Sequence, residues 1–442
     1  MKTITDFNKA KSLLTREVPA GYLAPVRIKG KTARKADGTE EIVKQIIADV
    51  RLRGDEALHY YTEKLDKIKL STFKVSRKEI NDAYKKVDKK LLSDLELAAG
   101  RIADFHTLCK QKMDTGFINN GVGRQIRPLA RVGLYIPGGT AAYPSTVLMS
   151  AIPAKVAGVT EICLVTPPQK DGSISAPTLA AADMVKVDKI FKIGGAQAIA
   201  ALAFGTKSIP KVDKICGPGN IFVATAKRLV YGAVDIDGIQ GPSEIIVVAD
   251  DTANPAFCAA DLIAQAEHDS LASAILITTS ARLASAVSKE IKIQLSKLSR
   301  QQIAGKALDS GGSIVIVKTI EEAIELVNLY APEHLLLAFR NAGKYVSNIK
   351  NAGCIFVNES SPVAFGDYIA GPSHILPTGG TARFSSPLGI EDFFKVVNIV
   401  SLSSQDQKKL GPVVIDLAEA EGLPGHAQAI KLRLQNTKKK AK

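Results

Sequence analysis

The stretch Val132-Gly-Leu-Tyr-Ile-Pro-Gly-Gly139 joins a short apolar run directly to a glycine-rich turn. Further apolar runs follow, separated by segments with helical spacing: EICLVT (161–166), DKIFKI (188–193), VDKIC (212–216), EIIVVA (244–249), SAILITT (273–279), SIVIV (313–317) and CIFVN (354–358). Strands that are apolar at nearly every position are buried on both faces, which is typical of parallel sheets covered by helices. The pattern therefore predicts an α/β fold built from βα repeats.

The segments around these repeats have other patterns. Residues 1 to about 35 are basic and lack clear periodicity, so we expect a poorly regular arm. Apolar residues at helical spacing then predict an N-terminal helical region that reaches about residue 114. Residues 359–389 are rich in glycine and small polar residues, which predicts a long, irregular and functional segment before a helical C-terminus. A chain of 442 residues is long enough for at least two domains, and we expect it to cross between them near residues 238–243.

The composition favours a compact enzyme over other classes of protein. Apolar residues make up 46% of the chain and charged residues 23%, which argues against wholesale disorder. The formal net charge is +14, but the lysine runs contain no aromatic residues that could stack on bases, so we expect no nucleic-acid partner. No apolar run reaches the roughly 20 residues of a membrane span, and no signal peptide is evident, so we expect a cytoplasmic protein without a membrane partner. The five cysteines are scattered, which favours buried reduced thiols over disulfides.

Glycine-rich turns end three of the predicted strands and lead into helices: Tyr135-Ile-Pro-Gly-Gly139, Gly194-Gly-Ala-Gln-Ala198 and Gly217-Pro-Gly-Asn220. Such turns present backbone N–H groups and a helix N-terminus to an anion. None has the G-x-G-x-x-G pattern of dinucleotide-binding proteins, and each by itself fits ordinary turn chemistry. Three in succession, at the carboxyl ends of strands of one sheet, favour a nucleotide ligand.

Two histidine motifs combine an imidazole with a neighbouring polar group. In Gln265-Ala-Glu-His268 the i, i+3 spacing predicts that the amide of Gln265 and the imidazole of His268 share one face of a helix. The pair Glu333-His334 follows a predicted helix end at Tyr330, in a loop that a proline stiffens, and offers an adjacent acid and base. Each motif alone also fits a structural role, such as a helix-ending histidine or the N-cap of a following helix.

Two further motifs bring the number of such histidines to four out of six: Asp367 with His374, and Glu421 with His426. All four are flanked by glycine, proline or an acid or amide residue. Nitrogen and oxygen donors that come from distant segments, without thiolates, suit a catalytic zinc ion or another borderline divalent ion. The sequence therefore predicts a metal-assisted reaction centre.

Together the motifs resemble those of the histidinol dehydrogenase family, which catalyses the last two steps of histidine biosynthesis. The resemblance runs from Ile46-Ile-Ala-Asp-Val-Arg-Leu-Arg-Gly-Asp55 to Gly422-Leu-Pro-Gly-His426. It is densest in RVGLYIPGG, GGAQAIAALA, CGPGN, GPSE, QAEHD, APEHL and FGDYIAGPSHILPT, and around Asp392-Phe-Phe-Lys395. Two small departures from the family pattern are Gln240 before Gly-Pro-Ser and Ser373 before His374. Neither falls on an implied ligand.

The resemblance implies two Rossmann-like parallel-sheet lobes, one of them discontinuous, with an N-terminal arm and a C-terminal helical tail. The implied segments are residues 1–30 for the arm, 31–134 with 244–388 for the discontinuous lobe with zinc and the catalytic residues, 135–243 for the lobe with the NAD contacts, and 389–442 for a dimerisation tail. It also implies a homodimer with shared active sites, into which Glu421 and His426 reach from the neighbouring chain.

The resemblance further implies roles for single residues. One zinc ion per subunit would be held by Gln265, His268, Asp367 and His426. The substrate L-histidinol would contact this set and, in addition, Ser243, Glu333, His334 and Glu421. The cofactor NAD would be met by Tyr135, Gln197 and Asn220.

The implied reaction is a four-electron oxidation in which L-histidinol, two NAD and water give L-histidine through L-histidinaldehyde. His334 would take the hydroxyl proton as a neutral imidazole with its pKa near the working pH, and would act as base again for the second hydride transfer. Glu333 would activate the water that attacks the aldehyde. Zinc would serve as a template for the substrate. His374 has no assigned step, and we expect it to be a supporting residue.

Three other interpretations stay open, of which the least favoured is that the basic tail, residues 436–442, binds nucleic acid. The chain could be a related zinc and NAD dehydrogenase of the same fold that acts on another small alcohol or diol, although Glu421 and the full ligand set favour a cationic substrate with an imidazole. It could also be a nucleotide-binding or scaffold protein without catalytic activity. The intact Glu333-His334 pair argues against this interpretation.

Overall fold

A computed structural model describes residues 1–16, 38–138 and 142–439, without the side chains of 436–439. The part of the predicted arm after Arg16, the last glycine of the first glycine-rich turn and the side chains of the final lysines therefore lie outside the described residues. Contacts divide the chain into two compact units: Met1–Gln111 with Leu129–Phe393, and Lys112–Pro128 with Phe394–Lys442. Within the described ranges, no helix has both the length and the apolar character needed to cross a membrane.

Strands and helices alternate along most of the chain. The strands are β1 Lys2–Ile4, β2 Gly116–Asn119, β3 Val122–Pro128, β4 Arg131–Tyr135, β5 Glu161–Thr166, β6 Lys189–Lys192, β7 Lys214–Cys216, β8 Asp235–Ile236, β9 Glu244–Ala249, β10 Ser273–Thr278, β11 Ser313–Ile316, β12 His334–Ala338, β13 Cys354–Val357 and β14 Phe394–Val400. The α-helices are α1 Phe7–Leu14, α2 Thr39–Arg53, α3 Asp55–Tyr61, α4 Arg77–Lys86, α5 Lys89–Lys112, α6 Pro144–Ala157, α7 Ala176–Met184, α8 Gly195–Phe204, α9 Ile221–Val230, α10 Pro255–Ala266, α11 Ala281–Leu295, α12 Gln301–Ser310, α13 Ile320–Tyr330, α14 Val363–Tyr368, α15 Ser404–Ala420 and α16 Pro424–Lys439. A π-helical turn spans Thr62–Asp66, and 3-10 helices span Ala342–Asn348, Thr381–Arg383 and Ile390–Phe393.

A six-stranded parallel sheet with the order β1-β11-β10-β9-β12-β13 forms one half of the first unit. Successive residues of β9 point to opposite faces, as the pleat requires. Ile245 and Val247 join a core that includes apolar residues of α10 and α11, whereas Ile246 and Val248 join a core with residues of α1 and α13. Both faces are covered, which explains why β9 is apolar throughout.

A five-stranded parallel sheet with the order β6-β5-β4-β7-β8 forms the other half of the first unit. Its core includes Val165, Phe191 and Ile215, together with apolar residues of α2, α8 and α9. The predicted glycine-rich turns follow β4, β6 and β7, so they lie at the carboxyl ends of strands in one sheet, as the sequence predicted. The prediction of an α/β fold with two parallel-sheet lobes is confirmed.

The first sixteen residues differ from the irregular arm that the sequence predicted. β1 pairs with β11 in parallel register, and Asp6 caps α1 by accepting a hydrogen bond from the N–H of Lys9 at 2.7 Å. Ile4 and Leu14 are buried in the core of the six-stranded sheet. A three-residue strand and a two-turn helix are too short to show a clear period, so only their packing identifies them.

The second unit contains a small antiparallel sheet with the order β14-β3-β2, followed by α15 and α16. The sequence predicted the helical C-terminus but not this sheet. The sequence of β14, Phe394-Lys-Val-Val-Asn-Ile-Val400, is apolar at five of seven positions, yet most of its side chains are exposed, so it is not one of the buried parallel strands that the prediction sought.

Candidate active site

The pair Glu333-His334 lies where α13 turns into β12. Ala331 ends α13 with a left-handed backbone (φ 54°), and His334 is the first residue of β12, between β9 and β13. The expected loop is thus only a short turn, and a strand follows it. The imidazole therefore stands at the amino end of a central strand, not at the carboxyl end where ligands of open α/β sheets usually bind.

His334 has one nitrogen fixed and one nitrogen free. Its Nδ1 lies 3.1 Å from the main-chain carbonyl of Glu244, and because a carbonyl only accepts, Nδ1 carries the proton. Its Nε2 is buried without a hydrogen-bond partner among the described residues and faces Oδ1 of Asp367 at 3.6 Å. The ring of Phe356 stacks alongside, with 6.1 Å between ring centroids. In the neutral tautomer, Nε2 is the atom that can accept a proton.

Two carboxylates change the electrostatics of this imidazole. Burial by itself lowers the pKa of His334, but the negative charges of Glu333 and Asp367 outweigh it and raise the pKa well above its ordinary value. Conversely, burial would raise the pKa of Asp367, and the neighbouring His334 lowers it. We expected the pKa of His334 to lie near neutrality. The protein chain alone raises this pKa, because the sequence did not show that two carboxylates face the imidazole.

The carboxylate of Glu333 lies on the Nδ1 side of the imidazole. Its Oε2 accepts a hydrogen bond from the N–H of Glu244 at 2.7 Å and lies 3.5 Å from Nδ1 of His334. The residue is 6% exposed. Among the described residues, no hydrogen bond reaches its Oε1, so this oxygen is available to a further donor.

His334 lines a cavity of about 300 Å³, whose mostly apolar wall includes the polar side chains of Asp367 and His374. His374 connects two segments through its ring nitrogens. Its Nδ1 lies 2.7 Å from the main-chain carbonyl of Asp367, and its Nε2 lies 3.2 Å from Oγ1 of Thr146 on α6. Burial lowers the pKa of His374, which favours the neutral ring that these two contacts need. His374 thus positions its neighbours, in agreement with the supporting role expected for it.

The predicted metal ligands of the first unit come from the end of α10 and from α14. Gln265 is buried in the last turn of α10, but the helix ends at Ala266, so His268 lies just beyond it and is exposed. The two residues therefore do not share a helical face, although the N–H of His268 donates to the carbonyl of Gln265 at 3.3 Å. His268 is also among the residues that lower the pKa of Asp367, after the larger effect of His334.

These donors fit the chemistry of zinc. Amide oxygen, imidazole nitrogen and carboxylate oxygen are ligands that zinc accepts, and three protein ligands from one chain leave room for a further one. Within the ranges that the structure describes, no group of three or more His, Cys, Asp or Glu side chains is placed to hold a metal ion. The predicted set also includes the amide of Gln265, and it stays a prediction.

The remaining predicted residues near this centre are Ser243, Glu421 and His426. Ser243 precedes β9 and is half-buried. In the second unit, Glu421 is the C-cap of α15 and His426 lies in the first turn of α16, and both are exposed. Their contribution to a shared active site stays a prediction.

The predicted NAD contacts lie at the glycine-rich turns of the five-stranded sheet. The hydroxyl of Tyr135 accepts a hydrogen bond from the N–H of Gly195 at 3.1 Å, which ties the end of β4 to the turn after β6. Oε1 of Gln197 is buried without a hydrogen-bond partner among the described residues, as expected of a group that awaits a polar ligand. Asn220 caps α9 by accepting from the N–H groups of Phe222 and Val223 at 3.1 and 3.2 Å.

A buried ion pair that the sequence did not reveal supports the third turn. Nζ of Lys227 lies 2.5 Å from Oδ1 of Asp237 and donates to the carbonyl of Gly217 at 2.9 Å, while the N–H of Gly217 donates to Asp237 at 2.7 Å. Lys227 also donates to Oε1 of Gln240 at 2.8 Å, so this departure from the family pattern has a local partner. A lysine in the middle of an amphipathic helix ordinarily indicates a solvated face, and no signal in the sequence marked it as buried.

Comparison with known proteins gives one consistent result. The sequence model of the histidinol dehydrogenase family matches residues 29–434. A histidinol dehydrogenase of Dehalococcoides mccartyi is 53% identical over 98% of this chain and 100% of its own length, and one of Clostridium acetobutylicum is 52% identical over 89% and 92%. A crystal structure of histidinol dehydrogenase from Elizabethkingia anophelis superposes with a TM-score of 0.89 at 37% identity and covers 99% of both chains.

Proposed function

Because the chain belongs to the histidinol dehydrogenase family, we propose that it oxidises L-histidinol to L-histidine through L-histidinaldehyde. In the overall reaction, L-histidinol, water and two NAD give L-histidine, two NADH and protons. The observation that carries the proposal is that Nε2 of His334 has no hydrogen-bond partner among the described residues while Nδ1 is held by a main-chain carbonyl, in a residue that lines a cavity with Asp367 and His374.

His334 acts as the general base. When the substrate hydroxyl lies in the cavity, Nε2 accepts the hydroxyl proton. At the same time a hydride leaves the carbon that carries this hydroxyl and passes to NAD. The carboxylate of Glu333 at 3.5 Å from Nδ1 stabilises the imidazolium that forms, since the two charges are buried together. The same nitrogen serves the second oxidation, after its proton has been released.

Glu333 has a second task in this proposal. The aldehyde must be hydrated before the second hydride can leave, and Glu333 assists by accepting a proton from water at its free Oε1. Its other oxygen stays on the N–H of Glu244, so the carboxylate keeps its orientation.

Gln265, His268 and Asp367 would hold zinc, with His426 as the fourth ligand. The ion would supply an anchor for the nitrogen atoms of the substrate and would offset the negative charge of Asp367 beside His334. Asp367 is held in place by its main-chain carbonyl, which accepts from His374. Ser243 and Glu421 complete the substrate contacts in this proposal, and Glu421 and His426 would come from the partner subunit of a homodimer.

Tyr135, Gln197 and Asn220 would orient NAD at the carboxyl ends of β4, β6 and β7. The buried Oε1 of Gln197 supports this assignment, because it lacks a partner in the described part of the chain. The turns supply main-chain N–H groups for the phosphates, and no glycine fingerprint is needed.

The proposal is tested with the purified full-length protein, L-histidinol, NAD and zinc. We expect NADH and L-histidine in a ratio of two to one, loss of turnover after treatment with a chelator, and recovery when zinc is added back. Turnover of another small alcohol or diol, but not of L-histidinol, would overturn the assigned substrate. Absence of NADH with any alcohol would overturn the enzyme assignment.

Metal binding has a test that does not depend on turnover. Asp367→Asn should reduce the zinc content of the purified protein, because the amide is a much weaker ligand than a carboxylate. The exposed Asp309→Asn is the matched control and should retain full zinc content. Equal zinc content in the two variants and the wild type would contradict the assignment of Asp367 as a ligand.

A further inference from the structure

Glu244, the first residue of β9, contacts both residues that the proposed reaction uses. Its main-chain N–H donates to Oε2 of Glu333 at 2.7 Å, and its main-chain carbonyl accepts from Nδ1 of His334 at 3.1 Å. These two bonds set the orientation of the carboxylate and the tautomer of the imidazole. A small rotation of this one residue would therefore disturb both groups.

The side chain of Glu244 is anchored from two directions. It is 6% exposed; Nη1 of Arg16 donates to Oε1 at 2.6 Å, and Nη2 lies 2.6 Å from Oε2 as an ion-pair contact. The N–H of Gly379 donates to Oε1 at 3.2 Å. A carboxylate held at both oxygens by a planar guanidinium has little freedom to rotate.

Arg16 is itself fixed by packing. Its guanidinium carbon lies 3.7 Å from the centroid of the Tyr330 ring, and the hydroxyl of Tyr330 donates to Oγ of Ser273 at 2.9 Å. Arg16, near the N-terminus, thus contacts and immobilises Glu244, the first residue of β9, which lies 228 residues away in the sequence.

We propose that Arg16 and Glu244 are positioning residues, whose buried ion pair fixes the main chain that aligns Glu333 and His334. The inference rests on the proposed function, since it concerns the same two catalytic groups. Neither residue takes part in a chemical step. Their removal should therefore lower kcat for both the alcohol and the aldehyde oxidation, while the KM for L-histidinol and for NAD stays close to the wild-type value.

The experiment compares two variants at position 16 with a matched control. Arg16→Met removes the charge and the hydrogen bond to Oε1, whereas Arg16→Lys keeps the charge but cannot contact both oxygens with a planar group. Lys11→Met breaks an exposed ion pair with Glu325 that also joins the N-terminal segment to α13. For each protein, kcat is measured with L-histidinol and with L-histidinaldehyde, and it is normalised to the folded fraction found from the melting curve.

We expect kcat of Arg16→Met to fall about 10- to 100-fold with both substrates, as for other residues that orient catalytic groups from behind. Arg16→Lys should fall less, and Lys11→Met should match the wild type. If Arg16→Met does not fold, Arg16→Lys against Lys11→Met decides the question. A kcat per folded molecule within twofold of the wild type in Arg16→Lys and in any folded Arg16→Met would overturn the inference, whereas absence of histidinol turnover in the wild type would overturn the proposed function instead.

Discussion

The free nitrogen of His334 is the smallest feature on which the chemistry depends. The main-chain carbonyl of Glu244 occupies Nδ1, and Nε2 has no hydrogen-bond partner among the described residues. The sequence could indicate that an acid and a base are adjacent, because Glu333-His334 is visible in it. It could not indicate which nitrogen is free, because the partner of Nδ1 lies 90 residues away in sequence.

Replacement of this base tests the assignment at the residue scale. His334→Asn should lower kcat by about 10²- to 10⁴-fold per folded molecule, the usual contribution of a general base, while zinc content stays near that of the wild type. His59→Asn is the control, because His59 is exposed and its ring lies against that of Phe73, away from Glu333 and Asp367 in sequence. Equal turnover of the two variants would refute the role of His334.

Gly217 provides a second test at the residue scale. Its φ is 113°, and a Cβ there would lie 2.1 Å from the carbonyl oxygen of Tyr135. Gly217→Ala should therefore shift the turn, raise the KM for NAD several-fold and reduce the free energy of unfolding by about 1–3 kcal/mol.

Gly232→Ala separates backbone strain from the clash. Gly232 has a similar φ of 99°, but a Cβ there would meet nothing within 4 Å. We expect a comparable strain cost from urea unfolding and an unchanged KM for NAD. An equal rise in KM in both variants would mean that the carbonyl of Tyr135 is not what links Gly217 to the NAD site.

At the scale of elements, the apolar runs predicted the strands well where both faces of a strand are covered. EICLVT and EIIVVA became β5 and β9 with the predicted ends. β12 was not predicted, although all its residues are buried. The proline before Glu333 had indicated a loop at Glu333-His334, and the strand begins there instead. β14 and β1 were missed because one is mostly exposed and the other is only three residues long.

The ion pair between α9 and the segment after β8 allows a prediction at the same scale. Lys227 and Asp237 are each 1% exposed, so Lys227→Met leaves a buried carboxylate without its partner. Such a loss typically costs about 3–5 kcal/mol, and urea unfolding should show it. Lys90→Met, which breaks an exposed pair with Asp94, should cost less than about 1 kcal/mol.

The double variant Lys227→Met with Asp237→Leu gives the converse measurement. With both charges gone, most of the lost stability should return, because no charge stays buried alone. Stability of the double variant below that of Lys227→Met would show that the hydrogen bonds of Asp237 to the Gly217 turn matter more than the charge.

On the scale of the first unit, the two sheets present their functional groups at opposite strand ends. The five-stranded sheet carries the glycine-rich turns at carboxyl ends, and the six-stranded sheet carries His334 at an amino end. The short segment from Asp237 to Glu244 connects them: it starts at the ion pair that supports the Gly217 turn and ends at the residue that orients Glu333 and His334. The sequence predicted a crossing near residues 238–243, but it did not reveal the contacts at the two ends of this segment.

The stability of the whole molecule should depend on pH through His106, a buried residue of α5 that has no hydrogen-bond partner for Nε2 among the described residues. Burial lowers its pKa to about 4, from the ordinary value of 6.5 that applies in the unfolded chain. Between these values the unfolded state binds a proton that the folded state does not, so stability falls as the pH drops from 6.5 to 4, by up to about 3 kcal/mol. His106→Leu should remove this part of the pH dependence, whereas the exposed His59→Leu should keep it. Urea unfolding across this range measures the two slopes, and parallel curves for wild type and His106→Leu would contradict the prediction.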